Sequence, residues 1–268
     1  AGPLEGIRIL DWTQWQMGPV ATAMLADLGA DVIHIEHPLT GDGGRGLKPG
    51  GMPELLKGRA AYFECNNRGK RGITLDLTKE KGREVIYRLV KTSDVFVHNF
   101  RQGVPERLGL DYDTLCQYNP NLIYAAASGF GPKGPEAMEP AFDYVGLARC
   151  GIMTMMGEAD MPPLLIQMGI ADQMGAIMTA YGILAALLAR ERLGIGQKVD
   201  VSHLGSMIAL QGLTISTQLY YGAQITRPDR KRAPNPLWNY YQCKDGKWLV
   251  LAALQSGRQW SSLCKALD

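Results

Sequence analysis

Over roughly its first two hundred residues the chain alternates short β-rich runs with stretches of helical spacing, and that alternation restricts the possible folds most. Gly6–Asp11 (GIRILD) reads as a strand and Pro19–Leu28 as a helix stopped by Gly29; Asp31–Glu36 (DVIHIE) is the next strand. A loop rich in glycine and proline follows from Pro38 to about Arg59, then a short extended piece over Thr74–Leu77. Lys79–Thr92 is helical, Asp94–Asn99 a strand, Tyr112–Asn119 helical and Leu122–Ser128 another apolar strand. Strands alternating with helices imply right-handed βαβ units around a parallel sheet, that is, an α/β fold.

Past this region the pattern changes. Met174–Leu193 reads as a buried helix, since its apolar run, Met174–Ala189, falls about four residues short of the roughly 20 needed to span a bilayer. Lys198–Ser202 is a short strand and Leu204–Tyr221 a second apolar helix. Thr226–Trp238 packs three prolines and four basic residues into a linker. Tyr240–Cys243 and Trp248–Ala252, joined through Lys244-Asp245-Gly246, read as a hairpin, and Gly257–Asp268 as a helix. The expected organisation is a large domain over residues 1–205, a helix and linker over 206–236, and the start of a smaller domain over 237–268.

Composition narrows the function classes. Twenty-eight Lys+Arg against 26 Asp+Glu leave a net charge of +2, too balanced for a nucleic-acid or polybasic membrane footprint. The N-terminal AGPLEGIRIL has neither the basic nor the apolar region of a signal peptide. Five scattered cysteines, without a C-x-x-C pair, favour a reducing cytoplasm over a disulfide framework or zinc cage.

Several motifs carry chemistry. Gly129, Gly131 and Gly134 form a G-x-G-x-x-G string after a strand, but Pro132 and Pro135 oppose the helix that must open there to hold a dinucleotide pyrophosphate. The first βα turn, Thr13–Pro19, has a single glycine. His34, His37, His98 and His203 show no metal spacing and read as isolated structural or surface histidines. Neither a G-x-S-x-G elbow nor a phosphate-binding P-loop occurs. The linker cations Arg227, Arg230, Lys231 and Arg232 read as a solvated connector or as neighbours of a polyphosphate ligand. Asp172 opens an almost wholly apolar helix. It reads either as an N-cap or as a carboxylate held ionised by the helix dipole and able to attack an activated acyl group.

Five segments in register, from about Leu4 to Ser202, carry a family resemblance: GIRILDWTQWQMGPVATAMLADLGADVIHIEHP, NNRGKRGITLDL, DVFVHNFRQGVPERLGLDY, GFGPKGP and ADQMGAIMTAYGILAALLARERLGIGQKVDVS. Together they resemble the class III CoA-transferases, the family of formyl-CoA, carnitine-CoA and aryl-acyl-CoA transferases that also contains the α-methylacyl-CoA racemases. The resemblance implies a Rossmann-like large domain, a smaller α+β domain and two chains interlinked like rings, as a homodimer or a heterodimer with a related subunit. Family chains are longer, so the small domain is expected to be incomplete here.

Carried over by residue, the resemblance makes Asp172 the nucleophile of an acyl-CoA:carboxylate CoA-transferase working through an aspartyl-CoA thioester. Coenzyme A and its acyl thioester are then substrates, a carboxylic acid the acceptor, and no metal or redox cofactor is required. The matching CoA-binding positions are Gln14 and Gln16 after the first strand, His37 at the end of the second, Lys70 and Arg71 in NNRGKRG, Asn99 and Phe100 ending a strand, and Arg107. Cations there suit the phosphates and Phe100 suits adenine, although Lys70, Arg71 and Arg107 each read equally well as a surface charge. The racemase branch needs a histidine just before an acid where this chain has Phe142-Asp143, which disfavours proton relay. A catalytically silent subunit of a hetero-oligomer is the remaining rival. Trp12, Trp15, Tyr144, Met153, Met155, Met156 and Met168 are candidates to wall an acyl site for a bulky or aromatic acid, or ordinary core residues.

Overall fold

A strand buried on both faces must offer apolar side chains to each, and the central strands do so. The computed structural model describes residues 2–46, 59–167, 169–222, 226–227 and 229–267. In chain order the elements are β1 (Arg8–Trp12), α1 (Met17–Asp27), β2 (Asp31–Glu36), α2 (Ala61–Asn66), β3 (Arg71–Thr74), α3 (Glu80–Val90) and β4 (Val95–His98). Then come α4 (Val104–Leu108), α5 (Tyr112–Leu115), β5 (Ile123–Ser128), α6 (Asp143–Arg149), α7 (Ile152–Met155), α8 (Ile170–Leu193) and β6 (Gln197–Ser202). They continue with α9 (His203–Leu210), α10 (Gly212–Tyr221), β7 (Trp238–Gln242), β8 (Trp248–Ala252) and α11 (Ser256–Leu267).

The described chain divides into two units, one of Ala1–Cys150 with Ile166–Ile215, the other of Gly151–Leu165 with Ser216–Asp268. The first is built on a six-stranded parallel sheet in the order β3-β2-β1-β4-β5-β6, the doubly wound order. Successive residues enter opposite cores. Ile9, Val32, Val95, Val97 and Ile123 pack with Val20, Leu25, Ala176 and Ile183 of α1 and α8. Leu10, Ile33, Phe96 and Tyr124 pack with Ile86 and Val90 of α3 and with Leu110 and Leu115. The order reverses between β1 and β4, so the loops beyond their carboxyl ends diverge and leave a crevice.

The second unit holds the β7–β8 hairpin, antiparallel from Trp238↔Ala252 to Gln242↔Trp248, with Gly246 at φ +82° in its turn. Arg230 Nε donates to Glu158 Oε1 at 2.6 Å.

Some boundaries depart from the sequence reading. The third strand is Arg71–Thr74, ahead of the extended piece expected at Thr74–Leu77, because Leu75 and Leu77 already turn into the core after the strand ends. The helix expected over Tyr112–Asn119 stops at Leu115. The helix expected over Leu204–Tyr221 breaks at Gln211, whose Nε2 donates to the carbonyls of Cys150 and Met207 ahead of Gly212. α8 begins four residues before Met174 and is long and apolar enough, by length and composition, to cross a membrane. It packs as a core helix along Ala171, Gly175, Ala176, Thr179, Ala180, Ile183, Ala186 and Leu187.

Candidate active site

The loop after β1 leaves the sheet in a tight, polar-stitched path. Trp15 sits at φ +67°, a left-handed conformation that a bulky residue adopts only when its surroundings impose it. Asp42 does so, its Oδ1 accepting from the Trp15 and Gly44 amides at 3.0 and 2.7 Å. Asn99, just past β4, clasps the same loop: its Oδ1 accepts from the Gln14 N–H at 2.8 Å and its Nδ2 donates to the Gln14 carbonyl at 2.7 Å.

Beneath the loop lies a buried charge cluster. The Asp11 carboxylate accepts from Thr13 Oγ1 at 2.5 Å, Thr22 Oγ1 at 2.8 Å, His34 Nδ1 at 2.9 Å and Lys70 Nζ at 2.8 Å. Burial alone raises its pKa, but the Lys70 and His34 charges and hydrogen bonds together prevail and hold it far below the usual carboxylate range. Lys70 Nζ also donates to Pro19 O and Asn67 Oδ1, both at 2.8 Å, and its side chain is 2% exposed.

Asp172 lies in the first turn of α8. It is the third residue of α8, and the helix is capped by Gly169 at φ +65°, so Asp172 is not the N-cap. Glycine suits that left-handed cap, and a Cβ there would come within 2.5 Å of Gln16 Nε2, so the end of the Gln16 side chain would have to shift. The free amides of the α8 first turn are taken by Asp143 of α6, whose Oδ1 accepts from the Ala171 and Asp172 N–H groups at 2.6 and 3.0 Å. Burial and the neighbouring Asp172 charge push the Asp143 pKa up despite those bonds, and Asp143 Oδ2 is buried without a partner among the described residues. Asp172 Oδ1 meets His203 Nε2 at 2.8 Å; Asp172 Oδ2 takes no hydrogen bond among the described residues.

These groups border a cavity of about 390 Å³ at the carboxyl ends of β1, β4 and β5, lined by Gln16, Tyr62, Asn99, Arg101, Phe142, Asp172 and His203 among others. Tyr62 Oη donates to Gln16 Oε1 at 3.3 Å. Burial first, then the Asp172, Asp42 and Asp143 carboxylates, push its pKa up, so it remains a donor. Trp15 and Phe142 meet edge to face at 6.0 Å. An adjoining cavity of about 350 Å³ shares Trp15, Asn99, Arg101 and Phe142 and adds Gln14 and Phe100. A third, of about 190 Å³, is lined by Gln14, His37 and Phe100 with Trp12 and Gly41. Among the described residues no cluster of three or more His, Cys, Asp or Glu side chains is set to hold a metal ion.

The sequence-predicted residues thus separate into groups. Asp172, Gln16 and Asn99 border one cavity, and Gln14, His37 and Phe100 another. His37 Nδ1 accepts from the Leu39 and Thr40 amides at 3.3 and 3.4 Å, and Phe100 packs on Trp12 with ring centroids 4.2 Å apart. Lys70 is occupied by Asp11. Arg71 lies on the edge strand with its guanidinium on Asp31 at 2.7 Å, 63% exposed and away from Asp172. Arg107 is exposed on α4 and lines none of these cavities. Of the suggested acyl-site residues, Trp12 is buried, Tyr144 is exposed, Met153, Met155 and Met156 belong to the other unit, and Met168 lies outside the described residues.

Four site residues escaped the sequence reading: Arg101, Tyr62, Asp143 in its capping role, and His203, which is paired rather than isolated. Only Arg101 carried a local signal, as the first cation after the strand bordering the crevice.

The model of "CoA-transferase family III" matches residues 4–268. The succinyl-CoA:mesaconate CoA-transferase of Haloarcula hispanica is 37% identical over 271 residues, covering 100% of this chain and 68% of that protein. The acetyl-CoA:oxalate CoA-transferase of Acetobacter aceti is 41% identical over 209 residues, 78% of this chain and 52% of the relative. Among solved structures, a CAIB/BAIF family protein from Brucella suis superposes with a TM-score of 0.89 at 34% identity, covering 99% of this chain and 70% of that one.

Proposed function

The chain belongs to CoA-transferase family III, an enzyme class acting on CoA thioesters, and from that premise we propose that it moves CoA from a donor acyl-CoA to a carboxylic acid through a thioester on Asp172. The position of Asp172 carries this reading: a carboxylate in the first turn of α8, with one oxygen held by His203 and the other without a partner among the described residues, bordering a cavity at the switch point of the sheet.

Oδ2 attacks the donor thioester carbonyl, and CoA leaves as thiolate, giving a mixed anhydride. The thiolate attacks Cγ of Asp172 and expels the donor acid, leaving the aspartyl-CoA thioester. An acceptor carboxylate attacks that Cγ, again releasing thiolate, and the thiolate then takes the acceptor acyl group from the second anhydride. Two covalent exchanges of matched energy replace one displacement that a carboxylate performs poorly. Arg101 suits a substrate carboxylate or a CoA phosphate, and Gln16, Gln14, Asn99, His37 and Phe100 flank a path for CoA along the adjoining cavities. The Trp15–Phe142 wall favours a bulky or aromatic acid. A homodimer, or a heterodimer with a related chain, in a reducing cytoplasm fits five cysteines that are all free thiols.

Racemisation is disfavoured. Two bases must flank a substrate carbon, whereas Asp172 and His203 bond each other directly at 2.8 Å, and Phe142 stands where the racemase histidine is required.

Intact-mass spectrometry after incubation with acetyl-, succinyl- and benzoyl-CoA, beside Asp172→Ala, tests the proposal. A CoA-mass adduct, labile to hydroxylamine and absent in Asp172→Ala, is expected. An adduct that survives in Asp172→Ala, or none from a protein that still binds CoA, would overturn it; the latter outcome favours a silent subunit.

A further inference from the structure

We propose that His203 is a catalytic oxyanion donor, acting on Asp172 itself in the two middle steps of CoA transfer; this rests on the covalent role of Asp172 proposed above. His203 opens α9 immediately after its cap, Ser202, whose Oγ accepts from the Gly205 amide at 3.0 Å. The ring is buried, and Nε2 is its one hydrogen-bonded nitrogen among the described residues, since Nδ1 is buried without a partner. A proton on Nδ1 would be stranded, whereas one on Nε2 meets a carboxylate oxygen at 2.8 Å. The pair therefore carries its proton on Nε2 and donates it to Asp172 Oδ1.

Packing holds the ring to this direction. α6 crosses α9 so closely at Gly146 that a Cβ there would lie 2.9 Å from His203 Cβ and 3.1 Å from Ala171 Cβ. The Asp143 carboxylate meanwhile fixes the Asp172 main chain through its N–H. Donor and acceptor sit on different elements, α9 and α8, and both are held against α6, at Gly146 and at Asp143. Such preorganisation is what an oxyanion site needs.

The chemistry follows the oxygen. Oδ2 forms the anhydride bond, so Oδ1 is the carbonyl oxygen of the acylated aspartate. When thiolate attacks Cγ of the anhydride, a C–S bond forms and the carbonyl π pair moves onto Oδ1, facing Nε2–H. The pair returns as the Cγ–Oδ2 bond breaks and the donor carboxylate departs. When the acceptor carboxylate attacks Cγ of the thioester, the same oxygen takes the charge, and the C–S bond breaks to release thiolate. In the first and last steps the tetrahedral oxyanion is on a substrate oxygen, outside this hydrogen bond, which there only follows the Asp172 carboxylate as it gives up or regains its charge. His203 therefore speeds formation and breakdown of the aspartyl thioester and leaves donor binding alone.

The test uses the full chain with whichever of acetyl-, succinyl- or benzoyl-CoA gives the adduct, and follows exchange of the matching ¹³C-labelled acid into that thioester. Thioester formation is timed by rapid quench and intact mass. His203→Ala is expected to lower the exchange kcat and the rate of thioester formation by about 10²–10³-fold, with the donor KM within about threefold of the parent. His203→Gln carries an N–H near the Nε2 position, and His203→Asn carries one only near Nδ1. The glutamine variant is expected to run at least about tenfold faster than the asparagine variant with donor KM values within about threefold of each other, a comparison that decides the matter even if the alanine variant fails to fold. His203→Ala exchanging within threefold of the parent, or equal rates for His203→Gln and His203→Asn, would overturn the proposal. Asp172→Ala separates the two readings: exchange surviving in it removes the covalent route altogether, whereas loss of the adduct there with full rates in the His203 variants removes only the role of His203.

Discussion

Replacing Lys70 with methionine deletes a cation but keeps most of the side-chain volume. Lys70 Nζ makes three hydrogen bonds of 2.8 Å, to Asp11 Oδ2, Pro19 O and Asn67 Oδ1, with only 2% of the side chain exposed. The substitution leaves the fully buried Asp11 with Thr13, Thr22 and His34 but without its strongest opposing charge. Breaking a buried ion pair from one side costs about 3–5 kcal/mol. For a chain of this size that corresponds to a fall in Tm of about 6–20 °C. The pH dependence has a definite sign. In the parent the Asp11 pKa lies below its unfolded value, so its contribution is present above the ordinary carboxylate range and lost only in strong acid. In Lys70→Met burial outweighs what remains, the pKa rises, and the deficit narrows as the pH is lowered from neutrality. Differential scanning calorimetry at several pH values, with and without CoA, measures both effects. An unchanged Tm accompanied by loss of CoA stabilisation would refute the reasoning and make Lys70 a ligand rather than a buried strut.

Other outcomes follow from the same geometry. Gly169→Ala is expected to lose about 1–2 kcal/mol of stability, because the cap at φ +65° is strained for a residue with a Cβ, and the end of the Gln16 side chain must also move aside; an unaltered denaturant midpoint would refute it. Asp143→Ala strands the Ala171 and Asp172 amides and is expected to cost about 1–2 kcal/mol in chemical denaturation. Asp143→Asn keeps the Oδ1 acceptor. Because the folded pKa of Asp143 is raised, its charge lowers stability as pH climbs from the ordinary carboxylate value through the raised one, and Asp143→Asn is expected to flatten that fall; an unchanged slope contradicts the assignment. CoA at about 100 times its Kd is expected to add about 2.7 kcal/mol of stability and NAD none, since no helix opens in the Gly129–Gly134 turn and α6 begins only at Asp143; a rise in Tm with NAD would contradict this.

The alternation of apolar runs with helical spacing was enough to read the architecture, and the bounds of β2 and β8 match the sequence reading to the residue. β3 slipped because it is an edge strand followed by Leu75 and Leu77, whose apolar alternation continues past the last paired residue. Asp172 stood out because a lone acid at the head of an apolar helix breaks the pattern around it. Its partners did not, since Asp143 and His203 are 29 and 31 residues away and meet it only once α6, α8 and α9 pack together. Lys70 read as a CoA ligand or a surface charge, with no sign of this pairing, for the same reason: Asp11, which it meets at 2.8 Å, is 59 residues distant. Local periodicity reports backbone and burial, whereas pairing across the fold leaves no such trace.

The reciprocal clasp between Asn99 and the Gln14 main chain has a consequence for the speed of recognition. The segments that emerge from β1 and β4 at the crevice are tied to each other by two bonds of 2.8 and 2.7 Å before any ligand arrives. A loop that must fold around its guest subtracts ordering entropy from affinity and slows encounter to the pace of its own closure. Here that entropy is lost during folding, so a guest meets a rim of fixed shape and its capture is governed by diffusion and orientation.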